Sequence, residues 1–457
     1  MTDPCHVAVI DIGKTNAKVV LVDLAALNEI GLATIANGVL PGPPYPHFDT
    51  EALAAFVTGG LARLHREHRV DAISITTHGA SAALLAADGT LAAPVLDYEH
   101  EYPAGLRAEY DALRPPFDET GSPRLPMGLN LGAQLHWLLA TQPGLSDRIA
   151  HVVTWPQYWA HRLTGVLATD VTSLGCHTDL WNPSKGTFST LVGRLGLSGR
   201  LPVPRRPGEV LGPVLPEIAR QTGLAPATPV ACGIHDSNAS LLPHLIGRTG
   251  AFSVVSTGTW VIVMTLNGRP VTLDPARDTL INVNALGQPV PSARFMGGRE
   301  YEVMRPDQPV RPAPQDVRRV LDGGVMLLPS VQTGSGPFPD RKMGWRPALP
   351  PDPAAVEVAV GFYLALMTAE CLAMTGAAGP AIVEGPFGQN ALFLDMLASA
   401  TARPVLASQS RTGTATGAAL LFAPGGAGPE GGMDEHLPRE GWSAYARLWR
   451  ERADAAG

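Results

Sequence analysis

Residues 6–23 read H-V-A-V-I-D-I-G-K-T-N-A-K-V-V-L-V-D. Two β-branched apolar runs flank a short polar turn with one glycine, the pattern of a hairpin. The G-K-T at its centre resembles the end of a phosphate loop. That loop needs a glycine where Ala8 stands, and a helix where a strand follows. A hairpin turn around Gly13 presents consecutive backbone N–H groups, and Thr15 and Asn16 add polar side chains, so the expected ligand is an anion. Lys14 contributes a compact positive charge. Of 34 lysines and arginines only Lys14, Lys18, Lys185 and Lys342 are lysines, and two of them fall here. Asp11, at the strand end, is a candidate for holding Mg²⁺ through water. A surface turn with a salt bridge fits the residues equally well.

Working outward, helical spacing covers 50–69 with Thr50 as N-cap, and D-A-I-S-I-T-T (71–77) reads as a buried strand. The runs 82–87 and 91–96, joined by D-G-T, read as a hairpin. Residues 130–140 and 156–163 are expected to be helical, and T-P-V-A-C-G-I (228–234) is a strand leading into H-D-S-N and a helix over 239–246. A second series starts near Gly250: A-F-S-V-V-S-T-G-T-W-V-I-V-M-T (251–265) is again strand, glycine turn, strand. A long apolar helix over 353–375 follows, then a strand at 381–384, a helix from Asn390, a strand at 404–408 and a helix from Thr416. Residues 305–316, with four prolines, are expected to be an exposed connection, 424–432 a loop, and 435–455 a terminal helix. Alternation of strands and helices predicts α/β layers. The echo of D-I-G-K-T-N by S-T-G-T predicts two similar domains facing across a cleft.

The chemistry-bearing stretches sit at strand ends. Asp236, in G-I-H-D-S-N (233–238), would project where a substrate hydroxyl could give up its proton as a phosphoryl group arrives; capping the next helix is the plainer role for such an aspartate. S-T-G-T-W (256–260) offers hydroxyls and amides around Gly258. V-E-G-P-F-G-Q-N-A (383–391) and T-G-T-A-T-G-A-A (412–419) carry small residues that let a flat ligand approach, forming an adenine and ribose shelf, or that simply pack tightly. F-M-G-G-R-E (295–300) is a further glycine-bearing candidate.

The chain has 457 residues, 45% hydrophobic and 16% charged, enough for two or three domains with large cores. Its net charge of −7 supplies no basic field for nucleic acid. No run approaches 18 apolar residues and no signal-peptide pattern opens the chain, so neither a membrane nor secretion is expected. Cys5, Cys176, Cys232 and Cys371 show no metal-ligand spacing and read as reduced thiols in a cytoplasmic protein.

Together these motifs, in this order, resemble the FGGY carbohydrate kinases of the actin/hexokinase/heat-shock ATPase fold group. The matching stretches are 7–23, I-S-I-T-T-H-G-A-S-A-A-L-L-A-A-D-G-T-L (73–91), H-R-L-T-G (161–165) with T-D-V-T-S (169–173), G-I-H-D-S-N, S-T-G-T-W, V-E-G-P-F-G-Q-N and G-T-A-T-G-A-A. The resemblance implies a two-domain actin/hexokinase-like (ribonuclease H-like) α/β fold with a central interdomain cleft. A sugar-binding domain would span 1–246 and an ATP-binding domain 247–457. Asp236 would be the catalytic base, and Asp11 with Asp236 would organise Mg²⁺. Gly13, Lys14, Thr15, Asn16, Thr257, Gly258 and Thr259 would hold the phosphates of ATP. Gly385, Gly388, Gln389 and Asn390 would sit near adenosine. His78, Gly79, Asp97, Glu99 and His235 would line the sugar pocket with Asp236. The sequence departs from the family where Pro386 and Phe387 replace consecutive glycines. It also lacks the Arg-Glu pair of glycerol kinases, Ala80-Ser81 standing there instead. The implied partner is a small-molecule sugar, with a homodimer left open. L-fuculose or L-rhamnulose is the expected acceptor, with another pentulose, a tetrulose or a polyol as alternatives. The rival readings are a non-catalytic sugar-binding regulator and an ATPase of the heat-shock type.

Overall fold

The computed structural model describes residues 4–408, 413–423 and 432–455. They form two packed units. The first holds the chain up to Arg248 together with Ile281–Pro289 and residues 413–423; the second holds most of the remainder.

In the first unit, β1 (His6–Ile12) and β2 (Asn16–Asp23) form the expected antiparallel hairpin, with Asp11 opposite Lys18. β3 (Asn28–Ala36) extends it, and β4 (Ala72–Thr77) joins β1 in parallel. The sheet continues through Pro229–Ala231 to Val210–Pro213 on one side of β4, and Ile234–His235 pairs with the upper end of β4. Both faces are covered, which is why β1 reads as an unbroken apolar run. Ala8, Ile10 and Ile12 pack with α1 (Thr50–His68) and α2 (Trp155–Thr164), while Val7 and Val9 pack with Ala239 and Ala418. The cap of α1 is Asp49, whose carboxylate accepts from Ala52 N, and not Thr50. The hairpin read at 82–96 is only a partial one. Ala82–Leu85 pairs along its length with His151–Thr154, and the D-G-T turn is closed by Ala86 N donating to Thr90 O. The strand expected at 228–234 is broken at Gly233, whose φ of +99° lies in the left-handed region. The break lets the chain restart at Ile234 and enter α3 (Asp236–Leu245) at Asp236, three residues earlier than its apolar spacing implies.

The second unit repeats the hairpin with β5 (Phe252–Thr257) and β6 (Val261–Leu266), in a sheet that continues through β7 (Ala381–Glu384) to β8 (Val405–Ser408) and Met433–His436. That last strand replaces the first part of the predicted terminal helix, which begins only at Trp442. α4 (Pro353–Met374) is long and apolar enough to cross a membrane, but it is largely buried in the core of this unit. The stretch expected as a loop at 424–432 lies, except for Gly432, outside the described residues.

Candidate active site

In the first unit, the β1–β2 turn is closed by Gly13 N donating to Asn16 O at 2.9 Å. Asn37, just past β3, clamps it: its side-chain amide donates to Gly13 O at 2.7 Å and its backbone N–H to Thr15 O at 2.9 Å. Thr15 and Asn16 are exposed. Burial pushes the Asp11 carboxyl up to about 6, against the pull of Lys18 and with the help of Asp236 and Glu29. Asp11 and Asp236 are thus close enough to feel each other's charge. Lys14 points elsewhere: its ammonium pairs with Asp97 and, at 3.3 Å, with Glu99, and stands 5.2 Å from the Phe48 ring centroid and 4.8 Å from that of Tyr98.

His78 leaves β4 with its N–H on Ile12 O and its Nδ1 2.8 Å from Gly79 O. Its ring lies against Phe48, Tyr98 and Trp155, and its Nε2 is buried with no hydrogen-bond partner. A Cβ on Gly79 would stand 2.9 Å from His235 Nε2, so glycine there gives the imidazole its room. His235 Nε2 lies 3.1 Å from Asp236 Oδ1 and 3.6 Å from Cys176 Sγ. Burial alone would lower the His235 pKa, but Cys176 and Asp236 outweigh it and lift it to about 9. Burial likewise opposes ionisation of Cys176, but His177 and His235 bring it down to about 5. T-D-V-T-S acts from below: Asp170 accepts from the backbone of Thr172 and Ser173, and the Thr172 hydroxyl accepts from His235 N at 3.0 Å.

Asp236 is the first residue of α3, and His235 occupies the cap position without capping. The Asp236 side chain is only partly exposed, and its Oδ1 accepts from Ser237 N at 2.6 Å as well as facing His235. The structure therefore brings Asp11, Lys14, His78, Gly79, Asp97, Glu99, His235 and Asp236 into one unit, where ion pairs tie Lys14 to Asp97 and Glu99, and His235 faces Asp236. Sequence reading grouped Cys176 with inert core thiols and gave Phe48 and Tyr98 no role; only long-range packing reveals them.

In the second unit, Gly258 N donates to Trp260 O at 3.0 Å, and Gly258 and Thr259 are exposed. Thr257 is different. Its hydroxyl donates to Glu384 O at 2.5 Å and accepts from Phe387 N at 3.1 Å, so it ties the turn to the 383–391 stretch and its proton is not free for a phosphate. Gly385 has φ +81°, and a Cβ there would fall 2.0 Å from Thr257 O. Phe387 is buried against Phe393 and Tyr301, which explains why this stretch does without consecutive glycines. Asn390, read as a nucleotide contact, caps the next helix (Ala391–Thr401) by accepting from Leu392 N and Phe393 N. Gly388 and Gln389 lie in the short 3₁₀ turn before it, with Gln389 exposed. The F-M-G-G-R-E stretch packs on the turn: a Cβ on Gly298 would meet Gly258 O at 2.0 Å.

The described part of the T-G-T-A-T-G-A-A stretch forms a helix, Thr414–Ala419, in the first unit. Its small residues serve packing: a Cβ on Gly417 would meet Ala239 O of α3 at 1.9 Å, and Ala418 O accepts from Ser74 Oγ. The two stretches expected to form an adenosine shelf therefore lie in different units.

Each of the two α/β units thus opens on a glycine-turn hairpin beside strand-end polar groups. Residues 6–243 match the N-terminal domain of the FGGY family of carbohydrate kinases, and 249–430 match a carbohydrate kinase FGGY C-terminal domain. The chain belongs to this family, whose members are ATP-dependent carbohydrate kinases. It is 38% identical to a carbohydrate kinase from Novosphingobium aromaticivorans of solved structure, with a TM-score of 0.91 over 98% of this chain and 100% of that one. It is 26% identical to an L-fuculokinase of Salmonella typhi over 272 residues, 58% of this chain and 57% of that protein. A xylulose kinase from Lactobacillus acidophilus, at 17% identity and TM-score 0.77 over 98% of both chains, shares the fold.

Proposed function

We propose that the protein transfers the γ-phosphoryl group of ATP to a primary hydroxyl of a ketose such as L-fuculose or L-rhamnulose, with Asp236 as general base. The observation that carries this is the setting of Asp236. One carboxylate oxygen is fixed by Ser237 N and faces His235 Nε2, which orients the group and leaves Oδ2 for an incoming hydroxyl. Transfer of a phosphoryl group asks the protein mainly for positioning and charge neutralisation. Gly13, Thr15 and Asn16 of the first unit and Gly258 and Thr259 of the second are assigned to the phosphates. Gly385, Gly388 and Gln389 are assigned to the nucleoside. In this reading Thr257 and Asn390 support those groups without touching ATP.

Mg²⁺ suits the residues present. It binds through one or two carboxylates together with substrate phosphates and keeps several waters. Asp11 and Asp236 supply that pair, although among the described residues no group of three or more His, Cys, Asp or Glu side chains forms a closed metal cage. When bound, the ion would neutralise charge developing on the phosphates. A cytoplasmic setting is part of this reading, since free thiols persist in a reducing compartment that also supplies ATP.

The test is coupled ADP release over a panel of tetrulose, pentulose and 6-deoxyhexulose acceptors, with Asp236→Asn beside the wild type. Acceptor-dependent ADP release that collapses in the variant, with ATP still bound, supports the assignment. Near-normal turnover in the variant removes Asp236 as the base, and turnover independent of any acceptor makes the protein an ATPase.

A further inference from the structure

The kinase reading assigns most of the β1–β2 turn to phosphate, but Lys14 is held for something else. Its ammonium already has two carboxylate partners, Asp97 and Glu99. Its side chain is 18% exposed and that of Asp97 10%, so their pairing is largely out of water. Two aromatic rings, Phe48 and Tyr98, cover the ammonium. Those same rings flank His78, 5.3 and 5.5 Å centroid to centroid. His78 is buried, and its Nε2 lacks a partner, as does Nε1 of the neighbouring Trp155. Buried polar atoms without partners are uncommon and ask for a ligand or water.

We propose that Lys14, held by Asp97 and Glu99, serves the acceptor and not the phosphates, and that this charge trio makes Lys14 a specificity-determining residue that selects a neutral sugar over a sugar acid. The proposal rests on the kinase reading for the identity of the reaction, but not for what binds. The chemistry follows from the donor and acceptor inventory. An ammonium has three N–H donors; two go to the carboxylates and one remains for a sugar oxygen. Asp97 and Glu99 keep lone pairs for sugar hydroxyls, which donate and accept alike. The faces of Phe48, Tyr98 and Trp155 suit the apolar C–H faces of a sugar. One lysine against two carboxylates gives the trio a net charge of −1, and Asp236 adds another negative charge within reach of His78. An aldonate or uronate carboxylate would be repelled, and like-charge juxtaposition is an effective way to reject a wrong partner.

The experiment measures both binding, by calorimetry in the presence of ADP, and coupled ADP release, for L-fuculose, L-rhamnulose, D-xylulose and D-gluconate. The proteins compared are the wild type, Lys14→Met, Lys14→Arg and Glu99→Gln, each also titrated with ADP alone. The expected result is binding of at least one ketose in preference to D-gluconate. Lys14→Met should weaken that ketose about tenfold or more while ADP affinity is kept, which also shows that the variant folds. Glu99→Gln, at an exposed side chain, should narrow the ketose-to-gluconate ratio several-fold, and Lys14→Arg should fall between wild type and Lys14→Met.

Preference for D-gluconate, no binding of any ketose, or an unchanged ratio in Glu99→Gln overturns the proposal. So does a Lys14→Met variant that loses ADP affinity and keeps its acceptor, which would return Lys14 to the phosphates. If Lys14→Met fails to fold, the Glu99→Gln ratio and Lys14→Arg decide. A protein that binds ketoses through Lys14 yet releases no ADP breaks the kinase reading and leaves this one standing.

Discussion

The two glycine turns look alike in sequence and differ in what they expose. In the first, the backbone is tied down by Asn37, and the side chains make the distant links: Lys14 reaches Asp97 and Glu99, and Asp11 lies within the field of Asp236. In the second, the threonine hydroxyl is spent on Glu384 O and Phe387 N, and glycines stand where backbone meets backbone at Gly298 and Gly385. A polar hairpin turn can thus be a side-chain site or a backbone site, and only its neighbours decide which.

That contrast can be broken by experiment. Removing a functional group should hurt most in the first unit. Asp236→Asn is expected to lower kcat by about 10³-fold, within the range for general-base catalysis, and to leave ADP affinity intact; loss of ADP affinity instead would mean that the side chain holds the nucleotide unit together. Adding a single methyl should hurt most in the second unit. Gly298→Ala pushes a Cβ against Gly258 O, so a destabilisation of about 1–3 kcal/mol and a raised KM for ATP are expected, with acceptor KM unchanged. Urea unfolding and steady-state kinetics check it, and a silent substitution would show the second turn to be open.

One threonine from each turn region sharpens the comparison. Thr257→Val removes the hydroxyl that accepts from the buried Phe387 N–H and donates to Glu384 O, and should cost about 1–3 kcal/mol. Thr15→Val, at an exposed position, should stay within about 0.5 kcal/mol. Equal losses in denaturant would erase the distinction between the turns.

The Asp11 carboxyl gives a pH signature. Its folded pKa, about 6, lies above the usual carboxylate range, so the folded state binds its proton more tightly than the unfolded chain does. Its contribution to stability is therefore full below the unfolded value of about 4 and is lost as pH rises to 6. Asp11→Asn should be more stable than wild type at pH 7, by on the order of 2 kcal/mol, with the gap closing toward pH 4. If Asp11 holds Mg²⁺ as proposed, activity should move the other way: the ion requires the ionised carboxylate, so turnover should fall on acidification through pH 6. Thermal unfolding at a series of pH values checks the first expectation, and Mg²⁺ titration of turnover the second.

Much of the architecture was readable because it is written in local patterns. The runs 7–12 and 17–22 read as strands, Gly13 as a turn, and 353–375 as a long apolar helix, and each formed, the helix ending at Met374. The misreadings fell where two local signals compete. Asp49 and Thr50 both suit an N-cap, and the aspartate, one residue earlier, meets Ala52 N. At 433–436 a polar segment took the edge of a sheet because β8 offered unpaired backbone, which no short window of sequence records.

The sequence by itself determined the two glycine-turn hairpins and much of the strand and helix order, because each depends on residues within a turn or two of one another. Tertiary structure alone decided which polar groups remain free to act. Lys14 finds Asp97 83 positions away, and Thr257 finds Glu384 127 positions away. Such pairings rest on long-range packing that shields the partners from competing water, so a lysine is committed in one turn and a threonine in the other by residues far along the chain.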